Sequence, residues 1–562
     1  MKIALAQIDF VVGDLDGNVE RIAAAAERAR ALGARLLVTS ELAVCGYPPE
    51  DLLLRGDFIA DCEQAVRALA TRVQGIAVVA GHPRRANGHR YNSASVIDGG
   101  RVLATYDKHA LPNYHVFDEE RYFQPGDRPV VFELEGVKFG INICEDAWGA
   151  EGAAQAVPLA GVTDAHLGVN LDAAGPAAAP QAAKAAGAQV LLVLNASPYH
   201  VRKRNLRVEV MRRRALETGL PLVYLNQVGG QDELVFDGAS FVLDRAGRVV
   251  HELPAFREEL SIVEFRGGEP QPGTVLPEPT EEAEVYAALC LGVRDYVTKN
   301  GFPGALLGLS GGIDSALTLA VAADALGPEK VTAVMMPSQY TADISLADAR
   351  RQAEILGVRY HEIAIKPIFD SFRSALAPHF AGRPEDTAEE NIQPRVRGTL
   401  LMALSNKFGA IVLTTGNKSE MGTGYATLYG DMAGGFGVLK DVNKMLVYRL
   451  ANYRNTRSPV IPQRVIDRPP TAELKPDQTD QDTLPPYDVL DAILEAYVER
   501  DVTPREIVAR GFRREDVERV VRMVRLSEYK RRQSPVGIRI TPRGFGKDWR
   551  FPITNRYRHL FD

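Results

Sequence analysis

Cysteine is scarce in this chain, since only four of its 562 residues are cysteines and no two of them form a CxxC pair. Paired cysteines are the usual ligands of structural zinc sites, and closely spaced sets of them build the disulfide frameworks of small secreted domains. The sequence therefore excludes both classes. A few isolated thiols are typical of a reducing compartment, and we expect the protein to be cytoplasmic.

Long apolar runs and an excess of basic residues are also missing. No uninterrupted apolar run is long enough to span a bilayer, and the first residues, MKIALAQIDF, begin a strand-like pattern rather than a signal segment. The formal net charge of −6 argues against general nucleic-acid binding. We interpret the one Arg-rich run, 202–214, as the solvated face of a helix. The expectation is a soluble protein that binds neither membranes nor nucleic acid.

The length predicts more than one domain, because a single core rarely extends over 562 residues. The segment 267–280, GGEPQPGTVLPEPT, contains four prolines and three glycines and is typical of a linker. We therefore predict domains at 1–266 and 281–562. An Ala/Gly/Pro-rich stretch at 149–187 interrupts the first domain, and we interpret it as an inserted loop with a short helix.

Apolar runs of strand length alternate with helical patterns in both halves, which predicts an α/β protein. In the first half they indicate a layered domain with mixed sheets, with strands at 3–7, 36–39, 76–81, 93–97, 137–143, 190–195, 222–226 and 239–243. In the second half they lie at 305–309, 331–335, 360–363 and 410–414, separated by helices such as 343–356. That alternation predicts a parallel, doubly wound sheet, which binds ligands at the carboxyl ends of its strands.

The segment 306–319, LLGLSGGIDSALTL, reads as a strand, a glycine-rich turn and the start of a helix. Such a turn directs backbone N–H groups at an anion beside the positive end of the helix. The GK[ST] ending of nucleotide-hydrolase loops and the GxGxxG spacing of dinucleotide folds are both absent. The pattern SGGxDS resembles the loop of the ATP pyrophosphatases, which cleave ATP between its α and β phosphates. The resemblance implies that Asp314 helps to hold Mg²⁺.

Three reactive residues each follow an apolar, strand-like segment. Cys144 follows VKFGINI, Glu41 ends LLVTSE, and Lys108 ends RVLATYDK. A thiol that attacks an amide needs a carboxylate to take its proton and a cation to stabilise the oxyanion, and these residue types supply both. Spacing alone leaves it open whether the three side chains converge.

The segments TSELAVCGYPPEDLL, YDKHALPNYHVFDE and GINICEDAW resemble the catalytic segments of the nitrilase superfamily, in the version that serves as a glutaminase domain. The resemblance runs to about residue 266 and implies an α-β-β-α sandwich. It makes Glu41 the general base, Lys108 the oxyanion stabiliser and Cys144 the nucleophile. The positions that hold glutamine in this superfamily correspond to Tyr114, Ser197 and Lys203. The other cysteines match no catalytic position: Cys45, Cys62 and Cys290.

Six segments of the second half resemble, in order, the glutamine-dependent NAD⁺ synthetase family: SGGIDS, MPSQYT, EENIQPRVRG, TTGNKSE, KDVNK and SEYKRRQSPVG. The resemblance implies a Rossmann-like domain of the adenine nucleotide α-hydrolase type. It assigns ATP binding to Gly308, Leu309, Ser310, Gly311, Gly312, Ile313, Asp314, Ser315, Thr415 and Lys444. It assigns Mg²⁺ to Asp314 and Glu420. It assigns deamido-NAD⁺ to Asn391, Glu420 and Lys530.

The expected reaction is glutamine hydrolysis in the first domain, followed by amidation of adenylylated deamido-NAD⁺ in the second. We expect an enclosed path for ammonia between the two domains, and a homo-oligomer. Two alternatives stay open at this point. In the first, the chain is a different ligase of the ATP-pyrophosphatase type that also takes its nitrogen from glutamine. In the second, it is an amidase whose second half only senses a nucleotide.

Overall fold

The structure is a computed structural model that describes residues 1–149, 178–471, 473–475 and 480–557. Two compact units make up the chain, Met1–Pro279 and Thr280–Asp562. Within the proline-rich segment 267–280, Glu269–Pro270 form a short edge strand of the first unit. Most of the stretch 149–187 lies outside the described residues, but its end includes the helix Ala178–Ala185.

Two large mixed sheets form the first unit, together with a two-stranded ribbon of Val228–Gln231 and Leu234–Asp237. The strands of the seven-stranded sheet follow the spatial order Glu269–Pro270, Glu259–Arg266, Lys2–Gln7, Leu36–Val38, Ala77–Ala86, His89–Asp98 and Arg101–Asp107. Those of the six-stranded sheet follow the order Val249–Glu252, Phe241–Leu243, Leu222–Asn226, Val190–Asn195, Val137–Ile143 and Val131–Leu134.

The two sheets face each other across an apolar core to which both contribute, for example Leu5 and Val79 from one and Ile141 and Leu192 from the other. Helices cover the outer faces because the central strands are apolar on both sides. The helices Leu15–Ala31 and Gly56–Arg72 pack on the seven-stranded sheet, and Ala178–Ala185 and Lys203–Thr218 pack on the other. The predicted α-β-β-α sandwich is confirmed.

The interpretation of the Arg-rich run as a solvated helix face is wrong for two of its arginines. Arg207 and Arg214 lie seven residues apart on the helix Lys203–Thr218, which places them on the same face as Val210 and Met211, and all four are buried. Arg207 forms an ion pair with Asp237 at 2.7 Å, and Arg214 one with Glu217 at 3.1 Å. Partner carboxylates offset the cost of burying these charges, and a sequence pattern does not reveal them.

The second unit is built on one parallel sheet. Its five strands follow the spatial order Arg359–Glu362, Val331–Met335, Ala305–Gly308, Ile411–Thr414 and Phe436–Gly437. The chain order therefore reverses between Ala305–Gly308 and Ile411–Thr414, which are neighbours. Such a reversal leaves a crevice at the carboxyl ends of the two strands, where ligands of this fold class bind. The predicted doubly wound sheet is confirmed.

Helices surround this sheet. The larger ones are Glu281–Lys299, Ile313–Leu326, Asp343–Leu356, Lys366–Leu376, Thr387–Phe408 and Lys444–Arg457. A second apolar cluster unites helices nearer the C-terminus, among them Tyr487–Leu494, Pro504–Ala509 and Arg514–Leu526. Short helices complete the unit at Lys418–Thr423, Gln463–Asp467 and Glu528–Arg531. No helix in the described part of the chain is both long and apolar enough to cross a bilayer.

Gly81 lets the loop that carries Glu41 lie directly on its neighbouring strand. A Cβ atom at Gly81 would stand 2.5 Å from the backbone oxygen of Ser40 and 2.5 Å from the backbone nitrogen of Leu42. The backbone N–H of Val44 also donates to the Gly81 oxygen at 3.0 Å. Because backbone atoms cannot move aside cheaply, glycine is required here for reasons of space.

We predict that Gly81→Ala destabilises the full chain by about 1–3 kcal/mol, the range expected for an overpacked interior. The shift in the denaturant concentration at which the first unit unfolds measures this loss. Gly56→Ala is the matched control, since the nearest atom to its added Cβ is the end of the Arg85 side chain at 3.9 Å. Equal midpoints for the two variants would contradict the packing argument.

Candidate active sites

Lys108 lies at the centre of a fully buried charge cluster in the first unit. It follows the strand Arg101–Asp107, and its Nζ donates to Glu41 Oε1 at 2.7 Å and to both carboxylate oxygens of Glu119 at 2.9 and 2.8 Å. Burial alone would lower the pKa of Lys108, but the carboxylates of Glu119 and Glu41 outweigh it and hold the pKa well above its usual range. The lysine therefore stays an ammonium ion in the interior.

Two further donors orient the Glu41 carboxylate. Asn92 Nδ2 donates to Oε1 at 2.7 Å, and the backbone N–H of Ala196 donates to Oε2 at 3.1 Å. Lys108 is the third donor to Glu41, and the three donors come from three different parts of the first unit. Glu41 is thus fixed as a hydrogen-bond acceptor, as a general base must be before it takes a proton.

Cys144 begins the tight turn after the strand Val137–Ile143, with its backbone in the left-handed region at a φ of 45°. A residue other than glycine rarely adopts this conformation, and such positions concentrate at functional sites. Burial, and then the negative charge of Glu41, raise the pKa of the Cys144 thiol well above its usual value, against the opposing effect of Lys108. The resting group is a thiol, so it needs a base before it can attack.

Asp146 ties the cysteine turn to the segment that carries Lys108. One of its oxygens accepts the backbone N–H groups of His109 and Ala110 at 2.9 and 2.8 Å. The other accepts the N–H of Ile143 at 2.9 Å and the hydroxyl of Tyr106 at 2.8 Å. A single buried carboxylate therefore sets the position of Cys144 relative to the ammonium ion of Lys108.

The three proposed glutamine-binding residues surround this centre. Tyr114 donates its hydroxyl to Glu145 Oε2 at 2.9 Å, and the ammonium of Lys203 lies 4.4 Å from the ring centre of Trp148. Ser197 directly follows Ala196, whose N–H contacts Glu41. Burial raises the pKa of Glu145 to about 7, although the hydrogen bond from Tyr114 opposes the shift. Besides Lys108 and its two carboxylates, the site thus contains a second cation, Lys203, a further carboxyl group, Glu145, and two hydroxyls.

The glycine-rich turn of the second unit links the strand Ala305–Gly308 to the helix Ile313–Leu326. Gly311 has a φ of +81°, and a Cβ there would stand 2.5 Å from the Ser345 oxygen. The hydroxyl of Ser315 accepts the N–H of Ser310 at 3.2 Å and donates to the Gly312 oxygen at 2.9 Å. These bonds fix an open turn at the start of a helix, where backbone N–H groups favour an anion.

An ion cluster with a buried lysine and two partly buried carboxylates lies beside that turn. Lys444 Nζ is 2.5 Å from Asp314 Oδ2 and 3.9 Å from Glu420 Oε1. Asn417 donates to Asp314 Oδ1 at 2.9 Å, and its own Oδ1 accepts the N–H of Glu420 at 3.0 Å. Asn417 is the N-cap of the helix Lys418–Thr423. The same residue therefore contacts both Asp314 and Glu420.

These residues fit a magnesium ion. Burial, and then the charge of Asp314, raise the pKa of Glu420 to about 8, against the opposing charge of Lys444. Mg²⁺ usually takes one or two carboxylates and completes its shell with substrate phosphates and water. The described residues contain no group of three or more His, Cys, Asp or Glu side chains suited to a metal. Asp314 and Glu420, beside a glycine-rich turn that favours an anion, agree with binding of Mg²⁺ by two carboxylates together with phosphates.

The remaining predicted residues of the second unit fall into two places. Thr415 follows the strand Ile411–Thr414 at the crevice. Asn391 and Lys530 lie at the loop 424–427 instead: Thr427 Oγ1 donates to Asn391 Oδ1 at 2.8 Å, and Lys530 Nζ donates to the oxygens of Gly424 and Ala426, each at 2.7 Å. The loop 424–427 directly follows the helix that bears Glu420, so Asn391 and Lys530 contact the segment next to that carboxylate.

Sequence reasoning missed several residues of both sites. They are Glu119, Glu145, Asp146, Asn92 and Asn417. Glu145 and Asp146 follow Cys144 directly, in CEDAW, and two acidic residues at the end of an apolar strand were an available signal. Glu119 and Asn92 carry no local signal, because their roles depend on contacts with residues far away in the chain.

Two family models match the chain. Residues 2–161 and 177–268 match the carbon-nitrogen hydrolase family, and residues 285–534 match the NAD synthase family. Among curated relatives, a glutamine-dependent NAD(+) synthetase of Acinetobacter baylyi is 50% identical and that of Thermotoga maritima 42% identical, and each alignment covers 99% of both chains.

A solved structure agrees over the whole length. The glutamine-dependent NAD⁺ synthetase of Acinetobacter baumannii, in complex with ADP, is 46% identical with a TM-score of 0.76, covering 99% of this chain and 98% of that one. A synthetase structure from Cytophaga hutchinsonii gives a TM-score of 0.82 at 20% identity, with coverage of 99% and 98%, which is a likeness of fold. Taken with the two family models, these matches show that the chain belongs to the glutamine-dependent NAD⁺ synthetase family.

Proposed function

We propose that this chain makes NAD⁺ from deamido-NAD⁺, with ATP as the activating substrate and glutamine as the nitrogen source. The observation that carries the proposal is the presence in one chain of two different centres. One joins Lys108 to Glu41 beside a buried thiol, and the other joins Asp314, Lys444 and Glu420 beside an anion-binding turn. Family membership identifies the substrates that such a pair of centres would use.

In the first centre, Glu41 takes the proton of the Cys144 thiol as the sulfur attacks the side-chain amide of glutamine. The Lys108 ammonium stabilises the oxyanion that forms, because its charge is buried and already oriented. The proton on Glu41 then passes to the leaving nitrogen, which departs as ammonia and leaves a glutamyl thioester. Water, deprotonated by Glu41, hydrolyses the thioester to glutamate and restores the thiol.

Recognition of free glutamine requires partners for its α-carboxylate and its α-ammonium group. Lys203 offers a cation for the carboxylate and Ser197 a hydroxyl donor, whereas Tyr114 already donates its one hydroxyl proton to Glu145 and can accept a hydrogen bond from the substrate. Glu145 is the complementary anion, since it lies next to Cys144 and is hydrogen-bonded to Tyr114. A simple amide substrate carries no charged groups to meet Lys203 and Glu145, so the site favours an amino acid.

In the second centre, the ATP phosphates lie at the start of the helix Ile313–Leu326, with Lys444 as their cationic partner. The nicotinate carboxylate of deamido-NAD⁺ attacks the α-phosphorus, and the bond to diphosphate breaks. Ammonia then attacks the acyl carbon of the adenylate, and AMP leaves with the formation of NAD⁺. Mg²⁺ held by Asp314 and Glu420 would supply the charge that neutralises the phosphate oxygens.

We further propose that ammonia passes from the first centre to the second without equilibrating with water, because protonation to ammonium would abolish its nucleophilicity. We propose a cytoplasmic homo-oligomer as the working form. Family membership supports these two statements.

The first test separates the two centres. Cys144→Ala should lower glutamine-driven NAD⁺ formation on the order of 10³-fold or more, since no other group replaces the nucleophile, while synthesis from ammonium salt continues. AMP and NAD⁺ should form in equal amounts. Cys290→Ala is the control because this cysteine matches no catalytic position. Formation of ADP in place of AMP, or loss of both activities in Cys144→Ala, would overturn the proposal.

The second test concerns Glu145. Only its ionised form binds an ammonium group, and its pKa is raised to about 7, so kcat/KM for glutamine should decrease about tenfold per pH unit below that value. Glu145→Gln should raise KM for glutamine by about 10–100-fold, the cost of one charged hydrogen bond. An unchanged KM for glutamine in the variant would exclude Glu145 from the role. The acidic limb alone does not decide, because burial also raises the pKa of Glu119 to about 7.

The third test concerns the metal-binding carboxylate. Asp314→Asn should lower NAD⁺ formation from glutamine and from ammonium alike, by about 10²-fold or more, and should weaken Mn²⁺ binding in the presence of ADP, measured by electron paramagnetic resonance. Asp370→Asn is the control, since its ion pair with Lys366 is exposed. Undiminished Mn²⁺ binding by Asp314→Asn would refute its assignment as a ligand.

A further inference from the structure

We infer that Arg207 is a positioning residue for the glutaminase reaction, a role that rests on the proposed function. Together with Asp237, it holds the segment 196–198 in place. That segment presents Ser197 to glutamine and offers the Ala196 N–H to Glu41. The residue belongs to the Arg-rich run whose exposure the sequence predicted and whose burial the structure shows.

The guanidinium of Arg207 directs its donors at this segment. Nη2 donates to the backbone oxygens of Ser197 and Pro198 at 2.7 and 3.1 Å, and Nε donates to Ser197 Oγ at 3.2 Å. Nη1 donates to both carboxylate oxygens of Asp237 at 2.7 Å. A planar fork of five N–H donors makes such a set of contacts possible, and a lysine cannot reproduce it.

The opposite side of the segment leads directly to the catalytic base. Ala196 donates its N–H to Glu41 Oε2 at 3.1 Å, and the next residue, Ser197, is the one to which Arg207 donates. Asn226 also holds Ser197 in place, since its Oδ1 accepts the Ser197 N–H at 2.9 Å and its Nδ2 donates to the Ser197 oxygen at 3.3 Å. Two residues of the same short segment therefore serve substrate binding and base orientation.

The comparison with Arg214 separates positioning from packing. Both arginines are completely buried in the same helix, and both form an ion pair. Arg214 pairs with Glu217 one turn along its own helix, whereas Arg207 reaches out of the helix to the 196–198 segment. Loss of either arginine removes one partner of an ion pair, which by itself destabilises the fold, so Arg214→Met is the control for that cost.

A shift of the segment would affect two steps at once. Ser197 would lose its place beside the bound glutamine, and Glu41 would lose one of the hydrogen bonds that orient it toward the thiol. Misplacement of reacting groups by about 1 Å costs on the order of 10²-fold in rate. The loss should therefore appear in kcat as well as in KM for glutamine, while the second unit is unaffected.

The experiment compares Arg207→Met, Arg207→Lys and Arg214→Met in the full chain, with NAD⁺ formation measured from glutamine and from ammonium salt. Arg207→Met should lower kcat/KM for glutamine by between about tenfold and 10²-fold, with part of the loss in kcat. Its ammonium-driven activity should stay at the wild-type level. Arg207→Lys should recover only part of the loss, because it restores the charge and not the fork. Arg214→Met should keep both activities.

Three outcomes would overturn the inference. They are wild-type glutamine kinetics in Arg207→Met, an equal loss of glutamine-driven activity in Arg214→Met, and a parallel loss of both activities in Arg207→Met. Failure of the proposed function would show in the wild-type enzyme, as absence of NAD⁺ from either nitrogen source. Glutamate release from glutamine alone would then still test Arg207.

Discussion

One ammonium group buried between two carboxylates organises the first unit. Removing Lys108, Glu41 and Glu119 from water costs several kcal/mol for each ion, and only close mutual contacts offset such a cost. The cluster constrains everything around it, since the strand end before Lys108, the loop of Glu41 and the turn of Glu119 must meet at one point. The sandwich fold makes this possible because its two sheets bring the cysteine turn to the same place.

The second unit uses a related device for a different purpose. Its buried cation, Lys444, contacts Asp314 closely and Glu420 at a longer distance, and Glu420 retains a raised pKa. Burial is the main cause of that raised pKa, and the negative charge of Asp314 adds to it. Both clusters place one cation beside two carboxylates, and in both a carboxyl group has a raised pKa, about 7 for Glu119 and about 8 for Glu420. The difference lies in the surroundings, because the Lys444 cluster lies beside a glycine-rich turn that favours an anion.

Much of the fold and part of both sites follow from local sequence patterns. Apolar runs and glycine-rich turns are local signals, and they located the strand ends before Cys144 and Lys108 and the turn before Asp314. The wrong interpretation of Arg207 and Arg214 has a different origin, because an arginine is buried or exposed according to whether a distant carboxylate meets it. Asp237 and Arg207 are 30 residues apart. Glu119 and Asn92 escaped prediction for the same reason, since their importance comes from tertiary contacts.

The reversed strand order of the second unit affects how that unit acquires its structure. Asp314 meets Asn417 across 103 residues of chain and Lys444 across 130. Closing segments of this length costs entropy before any contact compensates it. Partly folded chains that lack these two contacts therefore also lack the complete cluster around Lys444. Ligands that bind there stabilise only molecules that have completed the central sheet.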